Sequence, residues 1–187
     1  MYCLEHPPLP ASGRGHIDQQ DRGSQAVPNF MDPSSGVFGE EAFQQLLTRE
    51  ASRATRYQDF FSVCLVRPDG PAPEPDETMQ QAVARKITQF LRSTDVVAHT
   101  RDGIAILLLN TPDADAAKVV ERIRSHIENV SFQPDPGATS RRVTLSMGLV
   151  SFPRDGHNET VLLARAQARL KEASERGGNQ VVATDAS

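Results

Sequence analysis

The segment that most constrains this chain is Asp95-Val-Val-Ala-His-Thr-Arg-Asp-Gly-Ile-Ala-Ile-Leu-Leu-Leu109. Two apolar, β-branched runs flank a short polar turn ending in Asp102-Gly103. An Asp-Gly pair between two such runs is a strong local signal for a β-hairpin, because the turn needs a backbone conformation that glycine adopts cheaply. The spacing therefore predicts strands over 95–99 and 103–109. A hairpin with one nearly continuous apolar arm, Gly103-Ile-Ala-Ile-Leu-Leu-Leu109, belongs in the middle of a sheet covered on both faces.

The flanking sequence supplies the cover. Residues 39–56 place Ala42, Phe43, Leu46, Leu47, Ala51 and Ala54 at helical spacing, with acids leading and bases trailing, as the helix dipole favours. Phe60-Phe-Ser-Val-Cys-Leu-Val66 is short, apolar and partly β-branched, hence a buried strand. Residues 67–77 carry four prolines and predict a loop. Residues 78–93 predict a helix with Met79, Ala82, Val83, Ile87, Phe90 and Leu91 inward. Further helices are expected over 112–129 and 158–178, the latter stopped by Gly177-Gly178. Strands are expected over 142–152 and 179–183. The order α-β-α-β-β-α-β-α-β describes an α+β fold with one mixed, largely antiparallel sheet flanked by helices.

Composition narrows the function. The net charge is -4, which opposes general binding to nucleic acid, whose phosphates demand a basic surface. No apolar run approaches the roughly 18 residues that would cross a bilayer, and the start lacks the pattern of a secretory signal. Cys3 and Cys64 share no metal-ligand spacing, consistent with a reduced, cytoplasmic setting. Residues 1–30 are rich in Pro, Gly, Gln, Asp and Ser and predict a disordered tail preceding one domain over 31–187.

Several pieces of this domain resemble the GGDEF domain family, the diguanylate cyclases. Asp32-Pro33-x-x-Gly36 followed by Phe43 resembles the family's opening D-x-L-T-G-L-x-N-R-x-x-F. Leu145-Ser-Met-Gly-Leu-Val-Ser151 resembles T-x-S-I-G-I-A. Leu163-Ala-Arg-Ala166 with Glu175-Arg-Gly-Gly-Asn179 resembles the closing R-A-D-x-A-L-Y-x-A-K-x-x-G-R-N. The resemblance implies a cyclase palm whose signature motif sits on a hairpin turn. The hairpin ending in Asp102-Gly103 lies at that place.

The resemblance also implies that the chemistry is missing. The family joins two GTP molecules with divalent metal held by carboxylates, since hard cations need oxygen ligands. Arg67 stands where the family's first strand carries a metal-binding aspartate. Asp69 lies one pleat along. His99-Thr-Arg-Asp-Gly-Ile104 replaces R-Y-G-G-D-E-F, is one residue shorter, and leaves Asp102 as its acid. Ser174 matches the family's lysine. The loop Arg67-Pro-Asp-Gly-Pro-Ala-Pro-Glu-Pro-Asp76 is shorter than the family's guanine-binding stretch and has no Asn. The expectation is no enzyme activity, no bound metal and no cofactor.

One ligand set remains. The family's inhibitory site for cyclic di-GMP uses R-x-x-D five residues before the signature turn. Arg92-Ser-Thr-Asp95 has that form and offset. Arg122, in Glu121-Arg-Ile-Arg124, matches a further arginine on the helix after the hairpin. Guanidinium groups bind phosphate and the guanine Hoogsteen edge bidentately, and a carboxylate accepts from guanine N–H groups. Arg92, Asp95 and Arg122 are thus a candidate cyclic di-GMP site. The same residues also suit a plain ion pair at a helix end and a solvated helix face. Two functions stay open: a cyclic di-GMP receptor, or a nucleotide-independent scaffold that binds a protein partner or a second copy of itself.

Overall fold

In the computed structural model, the described residues are 31–32, 36–70, 77–133, 137 and 139–183. The expected tail over 1–30, most of the Asp32–Gly36 turn and part of the proline-rich loop lie outside them. Two very short strands, β1 (Met31–Asp32) and β2 (Val37–Phe38), precede helix α1 (Glu40–Tyr57). Strand β3 (Phe61–Pro68) and helix α2 (Glu77–Thr88) lead to the hairpin of β4 (Val96–Thr100) and β5 (Gly103–Leu109). Helix α3 (Asp113–Glu128) is followed by a small pair, β6 (Ser131–Phe132) and β7 (Arg141–Arg142). The chain closes with β8 (Leu145–Phe152), α4 (Glu159–Glu175) and β9 (Gln180–Val182).

Seven strands form one mixed sheet in the order β1-β2-β4-β5-β3-β8-β9. The long strands pair antiparallel, and only β2 with β4 and β8 with β9 run parallel. This is the expected α+β fold. The predicted hairpin has Thr100 opposite Gly103, with Arg101 and Asp102 at its tip. Gly103 has φ +139°, and a Cβ there would overlap the Val66 carbonyl oxygen of β3. Both the turn and the close approach therefore demand glycine.

Strand alternation divides the core into two layers. Cys64 and Val66 of β3 point to one face, where Met79, Val83 and Ile87 of α2 and Val120, Ile123 and Ile127 of α3 cover them. Phe61, Val63 and Leu65 point to the other, under Phe43, Leu47 and Ala54 of α1 and Leu162, Ala166 and Leu170 of α4. Helix α4 lies directly on β8 at Gly148, where any Cβ would collide with the Ala166 carbonyl and the Leu170 amide. Arg169, on the buried face of α4, donates to the Leu149 carbonyl at 2.6 Å and to Asp155 at 2.8 Å. Burial alone would raise the Asp155 carboxyl. The Arg169 guanidinium and the Ser151 N–H outweigh it and hold the carboxyl below its ordinary range. Burial pushes the Cys64 thiol up, so this cysteine is an inert core residue.

Three predicted boundaries need correction. Helix α2 ends at Thr88 instead of reaching 93, and residues 89–95 form turns, Asp95 N donating to the Arg92 carbonyl at 3.0 Å. Phe90 and Leu91 nevertheless pack against the core. The expected strand from 142 starts at Leu145, because Arg141 and Arg142 pair instead with Phe132 and Ser131. Strand β3 runs two residues further than the apolar run, through Arg67 and Pro68, held in register with Ser146 and Leu145.

Candidate functional site

Two places in the structure gather the residues singled out by sequence. The first is the end of β3. Asp69 is half-buried, and both of its carboxylate oxygens accept hydrogen bonds within the protein. Oδ2 accepts from Thr144 Oγ1 at 2.8 Å and from the Asn179 amide at 2.8 Å, and Oδ1 accepts from Ser146 Oγ at 2.5 Å. The Asp69 amide donates to the Thr144 carbonyl at 2.8 Å. One acid thus fastens the end of β3 to the start of β8 and to the Gly177-Gly178-Asn179 turn. Gly178, with φ +74°, leaves room for it, since a Cβ there would come within 2.8 Å of Oδ2.

Arg67, two residues earlier, belongs to the alternation set that faces α1 and α4. The residue is half-buried, and its guanidinium makes no hydrogen bond or ion pair to any described residue. It lines an open cleft of about 690 Å³ against α4. The hairpin tip sits nearby and is tied down from two sides. Gln167 of α4 donates to Asp102 Oδ2 at 2.6 Å, and the Arg101 amide donates to Glu40 Oε2 of α1 at 3.3 Å. Asp102 therefore acts as an anchoring turn residue. Among the described residues no three acidic, histidine or cysteine side chains cluster as a metal site would.

The second place is the turn before β4, on the opposite face of the sheet. The Asp95 carboxylate accepts the Arg92 amide at 3.0 Å through Oδ2 and the Leu109 amide at 3.3 Å through Oδ1. It closes its own turn and clips it to the end of β5. No ion pair forms between Arg92 and Asp95. The Arg92 guanidinium is exposed and has no partner among the described residues. Arg122 on α3 reaches across to donate to the Phe90 carbonyl at 3.0 Å, two residues before Arg92. One turn further along α3, His126 lies against the Phe90 ring with centroids 4.4 Å apart. The structure thus gathers all three predicted residues around one turn. It also gives Asp95 and Arg122 internal partners that the sequence did not reveal.

Arg124, two residues after Arg122 on α3, is a hub. It holds Glu121 at 2.7 Å, Glu128 at 3.1 Å and Asn179 Oδ1 at 2.6 Å. Hydrogen bonding from Arg124 keeps the Glu121 carboxyl below its ordinary range. Asn179 therefore ties the end of β3 to α3, its amide donating to Asp69 and its side chain meeting Arg124 and Glu128.

Comparison with known proteins agrees with this fold. The family of diguanylate cyclase GGDEF domains matches residues 74–180. The chain is 28% identical over 108 residues to the response regulator PleD of Caulobacter vibrioides, covering 57% of this chain and 24% of PleD. It is 27% identical over 161 residues to the probable diguanylate cyclase DgcT of Escherichia coli, covering 82% of this chain and 35% of DgcT. The chain thus spans about a quarter to a third of the length of these relatives. Among solved structures, the GGDEF domain of YfiN (TpbB) from Pseudomonas aeruginosa superposes with a TM-score of 0.72 at 19% identity, covering 83% of this chain and 94% of that one. The FimX GGDEF domain of the same species gives 0.71 at 17%, covering 83% and 99%. DgcB of Caulobacter crescentus, solved with c-di-GMP bound, gives 0.70 at 18%, covering 83% and 85%. The chain belongs to the GGDEF domain family. It is a signalling domain related to the diguanylate cyclases.

Proposed function

We propose that this domain is a non-catalytic GGDEF module that binds cyclic di-GMP through Arg92 and Arg122 on the turn shaped by Asp95. The observation that carries this reading is the bond from Arg122 to the Phe90 carbonyl, which brings α3 onto the turn that carries the exposed Arg92. Arg92 is free to fork onto a phosphate or a guanine edge, and Arg122 can exchange a carbonyl partner for a ligand. Each Asp95 oxygen keeps a lone pair beyond its backbone hydrogen bond. A relative in the same fold, DgcB, was solved with c-di-GMP bound.

The non-catalytic part rests on the end of β3. A divalent metal there would have to strip Asp69 from three donors and settle beside the Arg67 cation, against Coulomb repulsion. Incubation with GTP and Mg²⁺ or Mn²⁺, followed by chromatography, is expected to yield no cyclic di-GMP. Product formation overturns this part.

Calorimetric titration of cyclic di-GMP tests the receptor part. Binding at micromolar concentration or tighter, lost in Arg92→Ala, is the expected result. A second reading is favoured by the internal partners of Asp95 and Arg122: these residues hold the turn, and the domain is a scaffold for a protein partner or a second copy. No heat from the wild-type protein selects that reading.

A further inference from the structure

We infer that cyclic di-GMP binding at the Arg92 turn is coupled to protonation of His126, so that the receptor responds to pH as well as to ligand. The coupling rests on the receptor reading of that turn and adds its regulation.

Helix α3 meets the turn at one residue, Phe90, through two side chains. Arg122 donates to the Phe90 carbonyl at 3.0 Å. The His126 ring lies against the Phe90 ring, with centroids 4.4 Å apart and planes tilted by 54°. Arg122 and His126 are four residues apart on one helix and are therefore neighbours on one face. Phe90 itself packs against the core, whereas His126 is exposed. The imidazole thus touches the anchor of the turn and stays open to protons from solvent. It stands in the last turn of α3, where a helix accommodates positive charge.

Imidazole is the side chain that ordinarily changes charge between about pH 5 and 8. A positive charge here has two effects. A cation within about 6 Å of a phenyl centroid is attracted to the ring, so protonation strengthens the hold on Phe90. The same charge stands one turn from Arg122, and like charges at that spacing repel. Protonation therefore keeps the turn in place while it favours release of Arg122 from the carbonyl, the exchange that ligand binding requires.

The charges around the contact favour a dianionic ligand. Arg92 on the turn is exposed, and Lys86, four residues before Phe90 on α2, is half-buried. Neither has a partner among the described residues. Asp95, the acid of the turn, has both oxygens on backbone amides. On α3, Glu121 and Glu128 are bound to Arg124. Cyclic di-GMP carries two phosphodiester anions, and anions brought to this turn favour the charged ring. Ligand and proton then promote each other's binding by the same factor. The bound state takes up a proton, so affinity is greatest where His126 is charged and falls as pH rises.

The test is calorimetric titration of cyclic di-GMP into the full chain at about pH 6 and about pH 8, within the imidazole range and at one ionic strength. The wild type is expected to bind roughly three- to fivefold more tightly at the lower pH, the effect of one further charge at an exposed site. His126→Gln, at an exposed position and therefore safe for folding, is expected to bind equally at both, at the wild type's weaker level. His126→Arg, charged at both, is expected to bind at both as tightly as the wild type does at the lower pH, a gain that a merely structural role would not give. Wild-type binding that does not change with pH, or the same pH dependence in His126→Gln, overturns the coupling and leaves the receptor reading standing. No binding by the wild type at either pH overturns both.

Discussion

Two corners of this domain are built from an acid and an arginine close in sequence, and in neither do the two pair. At the end of β3, Asp69 is taken by two hydroxyls and a backbone amide, leaving Arg67 over. At the turn before β4, Asp95 is taken by two backbone amides, leaving Arg92 over. The corners differ in what surrounds the spare cation. Arg67 is half-buried in a cleft, whereas Arg92 is exposed to solvent. Water hydrates the second at no cost to the fold. The first faces an open cleft between the end of β3 and α4. Proximity in sequence thus says little about pairing, because backbone donors compete for short carboxylates.

A third acid and arginine, Asp155 and Arg169, do pair, and they calibrate the other two. Breaking a buried pair strands a charge, so Arg169→Met should cost about 3–5 kcal/mol in urea unfolding. The Asp155 carboxyl is held below its ordinary range in the fold. Its stabilising effect is therefore complete above the unfolded value of about 3.9 and is lost as pH falls through the lower folded value. The stability gap between wild type and Asp155→Asn should narrow below about pH 4. A gap that stays constant to lower pH would remove the charge from the account.

Asp69→Ala comes next. It strands the Asn179 amide and two hydroxyls that are buried or half-buried, and should cost about 2–4 kcal/mol. A loss much smaller than this would mean that the carboxylate is only lightly held, and would reopen Asp69 as a metal ligand. Mg²⁺ titration followed by the unfolding midpoint reads that directly.

What was legible in the sequence follows from how local each signal is. The hairpin was readable because Asp102-Gly103 and its flanks carry the turn and both strands within fifteen residues. Helices α1, α3 and α4 were readable from apolar spacing. The two-residue strands β1, β2, β6 and β7 have no period to read and exist only through partners elsewhere in the chain. The overrun of α2 has a local cause. Phe90 and Leu91 do face the core, but from a turn that Asp95 closes. The candidate residues Arg92, Asp95 and Arg122 did meet around one turn. Their bonds to Leu109 and to Phe90 join distant segments and leave no trace in spacing. The role of Asp69 spans 75 to 110 residues and was invisible for the same reason. Arg169 was missed although it left a signal: it falls on the buried stripe of α4, between Ala166 and Ala173.

The smallest stability effects carry the functional contrast. Asp95→Ala removes a side chain that caps two backbone amides, one exposed and one half-buried, and should cost about 1 kcal/mol, comparable to losing a helix cap. Arg92→Ala touches no internal partner and should stay within about 0.5 kcal/mol of wild type. If Arg92→Ala abolishes cyclic di-GMP binding while Asp95→Ala weakens both binding and folding, the acid serves by shaping the turn and the arginine by touching the ligand. If Arg92→Ala instead destabilises the fold by as much as Asp95→Ala, the guanidinium has a partner in solution, and the two corners are alike after all.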